Sequence, residues 1–474
     1  MEISSKYLKW LLPLGLAVGA TACATDGSAT GGQDSDPTFD ESAFAPPSTL
    51  NLNDLGPTPA FGEGELSPEL IDAVGVLQNI TVLQDVYTEP QRAALQTITN
   101  SGDARLAWFV GDLLRWSGSS EMRNDLVTAG AELTQLDIAS DPGGPWLGLT
   151  NPLIAWDIPE HPEYLSAKRT LFSQFQPDWE AFFEDNREVD WRHVSWGGVD
   201  IDNREYNPEE LCNCIPAIDN PEVVAAADAA WPPDDEVIFG VEVNGETRAY
   251  PRQIMEVREM VNDTLGGRDF GMPYCTLCGS AQVFFTDDLP AGVERPILRT
   301  SGLLIRSNKV MFDVESRSVF DTFTGEAVTG PLADEGVQLD QATVLVTTWG
   351  EWKEANPETT VLIQEDGFGQ NFDFRNGRDA NGPIFAVGDV DPRLPTQEDV
   401  IGVITADGNT IAFPSNAARE ALNAGETVEL NGVTLELEGG GLKSFDANGE
   451  EIASHQAFWF AWSQFHTDTA VWEA

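Results

Sequence analysis

From Ser67 to about residue 137 the apolar residues recur at helical spacing. Leu70, Val74 and Leu77 form one stripe; Leu106, Phe109, Val110, Leu113 and Leu114 form another. Ser67-Pro68-Glu69 offers a capping hydroxyl followed by a first-turn proline, and Gly102 and Gly130 punctuate the run. Residues 67–137 are therefore expected to be a helical subdomain held by packing. Over 138–210 the stripes give way to scattered aromatics, among them Trp146, Trp156, Phe172, Phe175, Trp179, Trp191 and Trp196. Pro145, Pro152, Pro159, Pro162 and Pro177 divide them. This pattern predicts short helices and turns in a connecting layer packed on the next domain.

From about 211 the period shortens to that of strands. Val237 to Val243, then Asn244-Gly245, then Glu246 to Tyr250 reads as a hairpin with a tight turn. Val283-Phe284-Phe285, Val344-Leu345-Val346 and Thr360 to Ile363 are further strand candidates. The expected fold class is α+β, with an N-terminal helical region and a β-rich C-terminal domain over 211–474.

That β-rich part repeats itself. Val237-Ile238-Phe239-Gly240-Val241, Asn244-Gly245 and Ala249-Tyr250-Pro251 are echoed by Val400-Ile401-Gly402-Val403, Asp407-Gly408 and Ala412-Phe413-Pro414. Trp349, Trp352, Thr359 and Val361 recur as Trp459, Trp462, Thr469 and Val471. Matches at both ends of one segment predict an internal duplication over about 237–363 and 400–473. The second copy lacks cysteines, so the chemistry is expected in the first.

Charge narrows the function classes. Acidic residues number 78 against 26 Lys and Arg, for a net charge of -52. Such a field repels a phosphate backbone, so nucleic-acid binding is excluded. With 41% hydrophobic residues and 14 Trp the chain still has ample core material. The acid is expected to be a solvated surface.

The N-terminus reads as an address. Lys6 and Lys9 precede an apolar stretch from Trp10 to Ala20, too short for a permanent span, which ends in Ala20-Thr21-Ala22-Cys23. Residues 1–22 are expected to be a signal peptide. The triplet before Cys23 resembles a bacterial lipobox, so Cys23 is the expected lipidation site. Residues 23–66, rich in Gly, Ser, Thr, Asp and Pro, are the expected flexible tether. By similarity to bacterial lipoprotein sorting, Ala24 points to the outer membrane of the cell envelope. The alternative is cleavage after Ala22 and a secreted or periplasmic protein.

Four cysteines then remain: Cys212, Cys214, Cys275 and Cys278. In an oxidising compartment thiols pair or hold metal. Cys275-Thr276-Leu277-Cys278 is followed by Gly279 and a strand-like run, a turn-to-strand setting unlike the helix N-terminus of thioredoxin-type pairs. The leading expectation is thiol-disulfide or related redox chemistry by Cys275 and Cys278, with an envelope redox protein as partner. Whether this is catalysis stays open. One alternative is a thiophilic metal site, zinc or copper, held by Cys212, Cys214, Cys275 and Cys278. The other is a non-catalytic surface lipoprotein whose cysteines only staple the fold. His161, His193, His455 and His466 show no metal-pair spacing; His193 is expected to be structural and His466 to serve at a helix end rather than as a ligand.

Several segments together resemble the domain of unknown function DUF3179 from about Trp196 to the C-terminus. They are Ile215-Pro216-Ala217-Ile218-Asp219, Gly240 to Pro251, Val261-Asn262-Asp263-Thr264, Tyr274 to Ser280, Ser301-Gly302-Leu303-Leu304, Phe312-Asp313, Thr324-Gly325-Glu326-Ala327 and Thr348-Trp349-Gly350-Glu351-Trp352. The resemblance implies no established activity. Selenoprotein members imply redox use of the CxxC region. Three positions depart from the family pattern. Arg258-Glu259 stands where His-Glu is usual, Thr276 where proline is usual, and Phe320-Asp321-Thr322 where Trp-Ser-Gln is usual.

Overall fold

The computed structural model describes residues 55–474 except 81, 83–84, 185–188, 205–212 and 364–381. The expected leader, Cys23, most of the tether and Cys212 lie outside the described residues. Among the described residues, no helix is long and apolar enough to cross a membrane.

The architecture is α+β, with a helical N-terminal region followed by a β-rich region. Helices Pro68–Leu77, Glu89–Ser101, Ala107–Trp116 and Ser120–Thr134 account for the first stretch. Their starts follow capping chemistry. The Leu70 amide donates to Ser67 Oγ, the Thr88 amide to Gln91 Oε1, and the Met122 amide to Ser119 Oγ. Helices Pro145–Ala155 and Tyr164–Phe175 follow. Aromatics after these helices pack on both sides. Trp116 stacks on Trp196 with centroids 4.5 Å apart, and Trp179 Nε1 donates to the Ser301 carbonyl at 2.7 Å. The layer also gives a strand away: Val194–Trp196 pairs antiparallel with Leu298–Ile305. One hydrophobic core consequently runs from the helices to Leu303, Val310 and Phe312.

The β-rich region forms five small sheets in a propeller-like ring. Two of them follow the same path. Four strands of the first run Leu345–Thr348, Val237–Val243, Glu246–Pro251, Thr360–Leu362, with Val223–Ala225 added at the edge; the second runs Ser454–Phe458, Asp399–Ile404, Thr410–Pro414, Ala470–Val471, and it is these sets of four that share the path. In both, the first two pairings are antiparallel and the last is parallel. Leu345 opposes Gly240 as His455 opposes Gly402. Trp352 Nε1 donates to Thr359 Oγ1 at 3.0 Å, and Trp462 Nε1 to Thr469 Oγ1 at 2.9 Å. Each of these indoles lies flat on the glycine of the facing strand. A Cβ added at Gly240 would sit 2.6 Å from Trp352, and one at Gly402 would sit 2.0 Å from Trp462.

A charge network ties the segment after the aromatic layer to the sheets. Arg299, fully buried, donates through Nη1 to Asp219 Oδ1 at 2.8 Å, and its Nε lies 3.6 Å from Asp202 Oδ2. Asn262 Nδ2 also donates to Asp219, at 2.8 Å. Asp219, Asn262 and Arg299 come from three different strands. The network thus fixes how those strands meet.

Candidate functional site

Strand Arg268–Cys275 and strand Ser280–Ala281 form the hairpin that carries both sulfurs, with Cys275 opposite Ser280. The Cys278 amide donates to the Cys275 carbonyl at 3.2 Å, which closes the turn. Gly279 makes the exit. Its φ of +61° is left-handed, and a Cβ there would lie 3.0 Å from the Phe458 ring. The expected turn running into a strand is therefore what stands here.

Both cysteines are free thiols and buried, at 1% and 0% exposure. A second hairpin, Leu298–Ile305 and Asn308–Asp313, places its turn against them. Arg306 and Ser307 take φ of 47° and 69° in that turn. It is held by the Arg306 amide donating to the His193 carbonyl and by Gln464 Nε2 donating to the Arg306 carbonyl. The turn presents oxygens to one sulfur in particular. The Ser307 carbonyl lies 3.5 Å from Cys278 Sγ and 3.9 Å from Cys275 Sγ, and Asn308 Oδ1 lies 3.5 Å from Cys278 Sγ.

This arrangement divides the proton between the sulfurs. Burial works against a Cys275 thiolate, and so does the Glu259 carboxylate. The Cys278 S–H and the backbone amides of Lys309 and Cys278, all donating to Cys275 Sγ, outweigh them and hold Cys275 below the ordinary thiol value. Burial, the bond it donates to Cys275 and the neighbouring negative charges push Cys278 well up. Donors surround one sulfur and acceptors the other, so of the two it is Cys275 that gives up its proton more readily.

Beside them stands a buried ion pair. Glu259 ends the helix Arg252–Arg258 in the left-handed region, φ 52°. Its Oε2 lies 3.3 Å from Lys309 Nζ, and Lys309 also donates to the Glu259 carbonyl. Thr276 Oγ1 donates to Glu259 Oε1 at 2.9 Å, so the residue in the usual proline position anchors the cysteine loop to this pair. Burial depresses the Lys309 ammonium, while Glu259 and Cys275 pull it back up. Lys309 was not singled out by its sequence context. The available signal was scarcity, because the chain has only six lysines and Lys168 and Lys309 are fully buried.

The strand Ser454–Phe458 and the helix Trp459–Phe465 supply the other wall. The Phe458 amide donates to the Cys278 carbonyl at 2.8 Å, and Phe458, Trp462 and Phe323 share one apolar core with both cysteines. The sulfurs are thus carried by the segment 275–278 and covered by the segment around Phe458. Asp321, where the family pattern has serine, accepts the amides of Phe323 and Thr324 at 2.7 and 3.1 Å, and burial raises its carboxyl. Cys214 is disulfide-bonded, with its partner outside the described residues. Cys214, Cys275 and Cys278 are not brought together, and among the described residues no group of three or more His, Cys, Asp or Glu side chains is placed to hold a metal ion.

The model of one family, described as a protein of unknown function, DUF3179, matches residues 212–445. No curated protein and no solved structure matches the chain.

Proposed function

We propose that this chain, a member of the DUF3179 family through residues 212–445, performs thiol-disulfide redox chemistry with Cys275 as nucleophile and Cys278 as resolving thiol. The observation that supports this reading is the asymmetry of the pair: amide and S–H donors converge on Cys275, while oxygens face Cys278. A thiolate attacks and a neighbouring thiol resolves. In the forward step Cys275 S⁻ opens the S–S bond of a disulfide substrate and releases one thiolate. Cys278 then loses its proton and displaces the second, leaving a Cys275–Cys278 bridge. Glu259 and Lys309 act as positioning residues that hold the Thr276 loop and the Cys275 amide donor in place. The two sheets of matching register are read as copies of one unit. The protein is placed in the bacterial envelope, carried on the membrane by lipid at Cys23, on the strength of its N-terminal sequence alone.

The test is equilibration of the full chain in dithiothreitol redox buffers, followed by denaturing alkylation and mass measurement. The expected result is reversible closure of the Cys275–Cys278 bridge with unchanged circular dichroism, at a potential above about -300 mV, the range of labile rather than stapling bridges. A pair that never closes, or one that opens only below that range, would refute the assignment. Iodoacetamide kinetics supply the acid-base half of the test. Cys275 is expected to alkylate with a pH midpoint below the ordinary value of about 8.5. Reactivity then persists as pH falls through that value and fades only when Cys275 takes a proton. Cys278→Ser and Lys309→Met should each move the midpoint upward, and Cys275→Ser should abolish alkylation of the folded chain.

A further inference from the structure

Around Phe323 and the two sulfurs, the buried polar atoms without a hydrogen-bond partner among the described residues include Ser280 Oγ, Gln282 Oε1, Thr322 Oγ1 and His455 Nε2. Their residues are no more than 2% exposed. Contacts place them together. Ser280 opposes Cys275 across the hairpin, and Gln282 Nε2 donates to the Phe323 carbonyl at 2.8 Å. Thr322 adjoins Phe323 in the chain, and the His455 ring meets the Phe323 ring edge-on at 5.3 Å. The imidazole is neutral, because burial and the nearby His466 lower it to about 3. Gln341 Nε2 lies 3.3 Å from its Nδ1 and donates there, so the ring proton sits on Nε2. One N–H donor, one amide acceptor and two hydroxyls thus lack partners beside a dithiol. Groups of this kind, placed around Phe323 and beside Cys275, are available to a small ligand.

We infer that Ser280, Gln282, Thr322 and His455 form the subsite for a small uncharged hydroperoxide that oxidises the Cys275–Cys278 pair. This rests on the redox reading above and names its substrate. Burial of both sulfurs bars a protein disulfide, whose S–S bond must line up with the attacking sulfur. The acidic field of the chain disfavours anions. What fits is a small neutral electrophile that both donates and accepts hydrogen bonds. Cys275 S⁻ attacks one peroxide oxygen and the O–O bond breaks, giving Cys275–SOH and RO⁻, which takes a proton from water to leave as ROH. The Cys278 sulfur then attacks the sulfenic sulfur. The Cys278 proton and the hydroxyl depart as water, and the disulfide remains. Two electrons pass from the thiol pair to the peroxide.

The experiment uses the reduced full chain and measures bridge closure by mass after denaturing alkylation. Hydrogen peroxide and glutathione disulfide are compared at equal concentration. Peroxide is expected to close the bridge at least tenfold faster. His455→Phe and Gln282→Leu should each slow the peroxide reaction tenfold or more, with native circular dichroism and unchanged alkylation of Cys275. Peroxide rates that neither variant alters would overturn the inference, and so would closure by glutathione disulfide as fast as by peroxide. If dithiothreitol buffers close the bridge and peroxide does not, the subsite is wrong and the thiol-disulfide reading stands. If nothing closes it, both fall.

Discussion

Arg299→Met should lower the unfolding free energy by about 3–5 kcal/mol, seen as a large fall in the guanidinium midpoint with little change in slope. Methionine fills most of the volume, so the loss is electrostatic. Asp219 is 2% exposed at its side chain and would keep its charge with only the Asn262 amide as partner. Asp202 is fully buried but retains Arg204, whose Nε donates to Oδ1 at 2.5 Å. The cost should therefore fall mainly on Asp219. A double variant, Arg299→Met with Asp219→Asn, removes that stranded charge and should recover a substantial part of the loss. If the double variant is less stable than Arg299→Met alone, the stranded charge is not the cause. The pairwise cycle separates the interaction from the rest of each deletion. The cysteine hairpin should respond as well, since Asn262 lies on the strand that pairs with Arg268–Cys275.

The second large effect is steric. Gly402→Ala places a methyl 2.0 Å from Trp462 Cζ3, and Gly240→Ala places one 2.6 Å from Trp352 Cζ3. Neither indole can retreat, because both are fully buried and tethered through Nε1 to Thr469 and Thr359. Overpacking of this kind costs about 1–3 kcal/mol, and more where neighbours cannot yield. Gly402→Ala should lie at or above the top of that range, with Gly240→Ala below it. Pairing Gly402→Ala with Trp462→Phe should return part of the loss, since the smaller ring vacates the clash. Gly75→Ala serves as the opposite case. It sits in the helix Pro68–Leu77 with nothing within 4 Å of an added Cβ, and should gain about 0.5–1 kcal/mol. Equal midpoints for Gly402→Ala and the parent would contradict the packing described.

The parts of this fold written in local chemistry were legible from the residues. Asn244-Gly245 sets a hairpin turn whatever lies elsewhere. Ser67-Pro68-Glu69 starts a helix by itself. The Gly279 turn and the strand after it could be read from five consecutive residues. Two Trp, a Thr and a Val recur in the sequence at one offset, and within those sets Trp352 and Trp462 each donate to the matching threonine and face a glycine. What could not be read depends on distant pairing. Glu259 reaches Thr276 only because a helix ends in the left-handed region at that point. Ser307 and Lys309 come to the sulfurs through the register of another hairpin, about thirty residues on. His455 arrives from nearly two hundred residues further along, through the Phe323 contact. Spacing among the four histidines carried no trace of this, because none of their ring contacts is with a sequence neighbour of the cysteines. The scattered aromatics between 138 and 210 foretold a packed layer, but not that Val194–Trp196 would leave it to become a sheet edge.

The amide of Phe458 and its ring, resting on Cys278 and Gly279, have a consequence for where this domain can be divided. The matched region ends at residue 445, yet the strand Ser454–Phe458 and the helix Trp459–Phe465 that close over the sulfurs lie beyond it. A chain stopped at that border would carry every cysteine and still lose the wall that keeps them from water. The thiols would become ordinary solvent-facing groups, open to large reactants and stripped of the low-dielectric setting that separates their acidities. Access to Cys275 is thus set by residues 454–465, far along the chain from the Cys275–Cys278 motif.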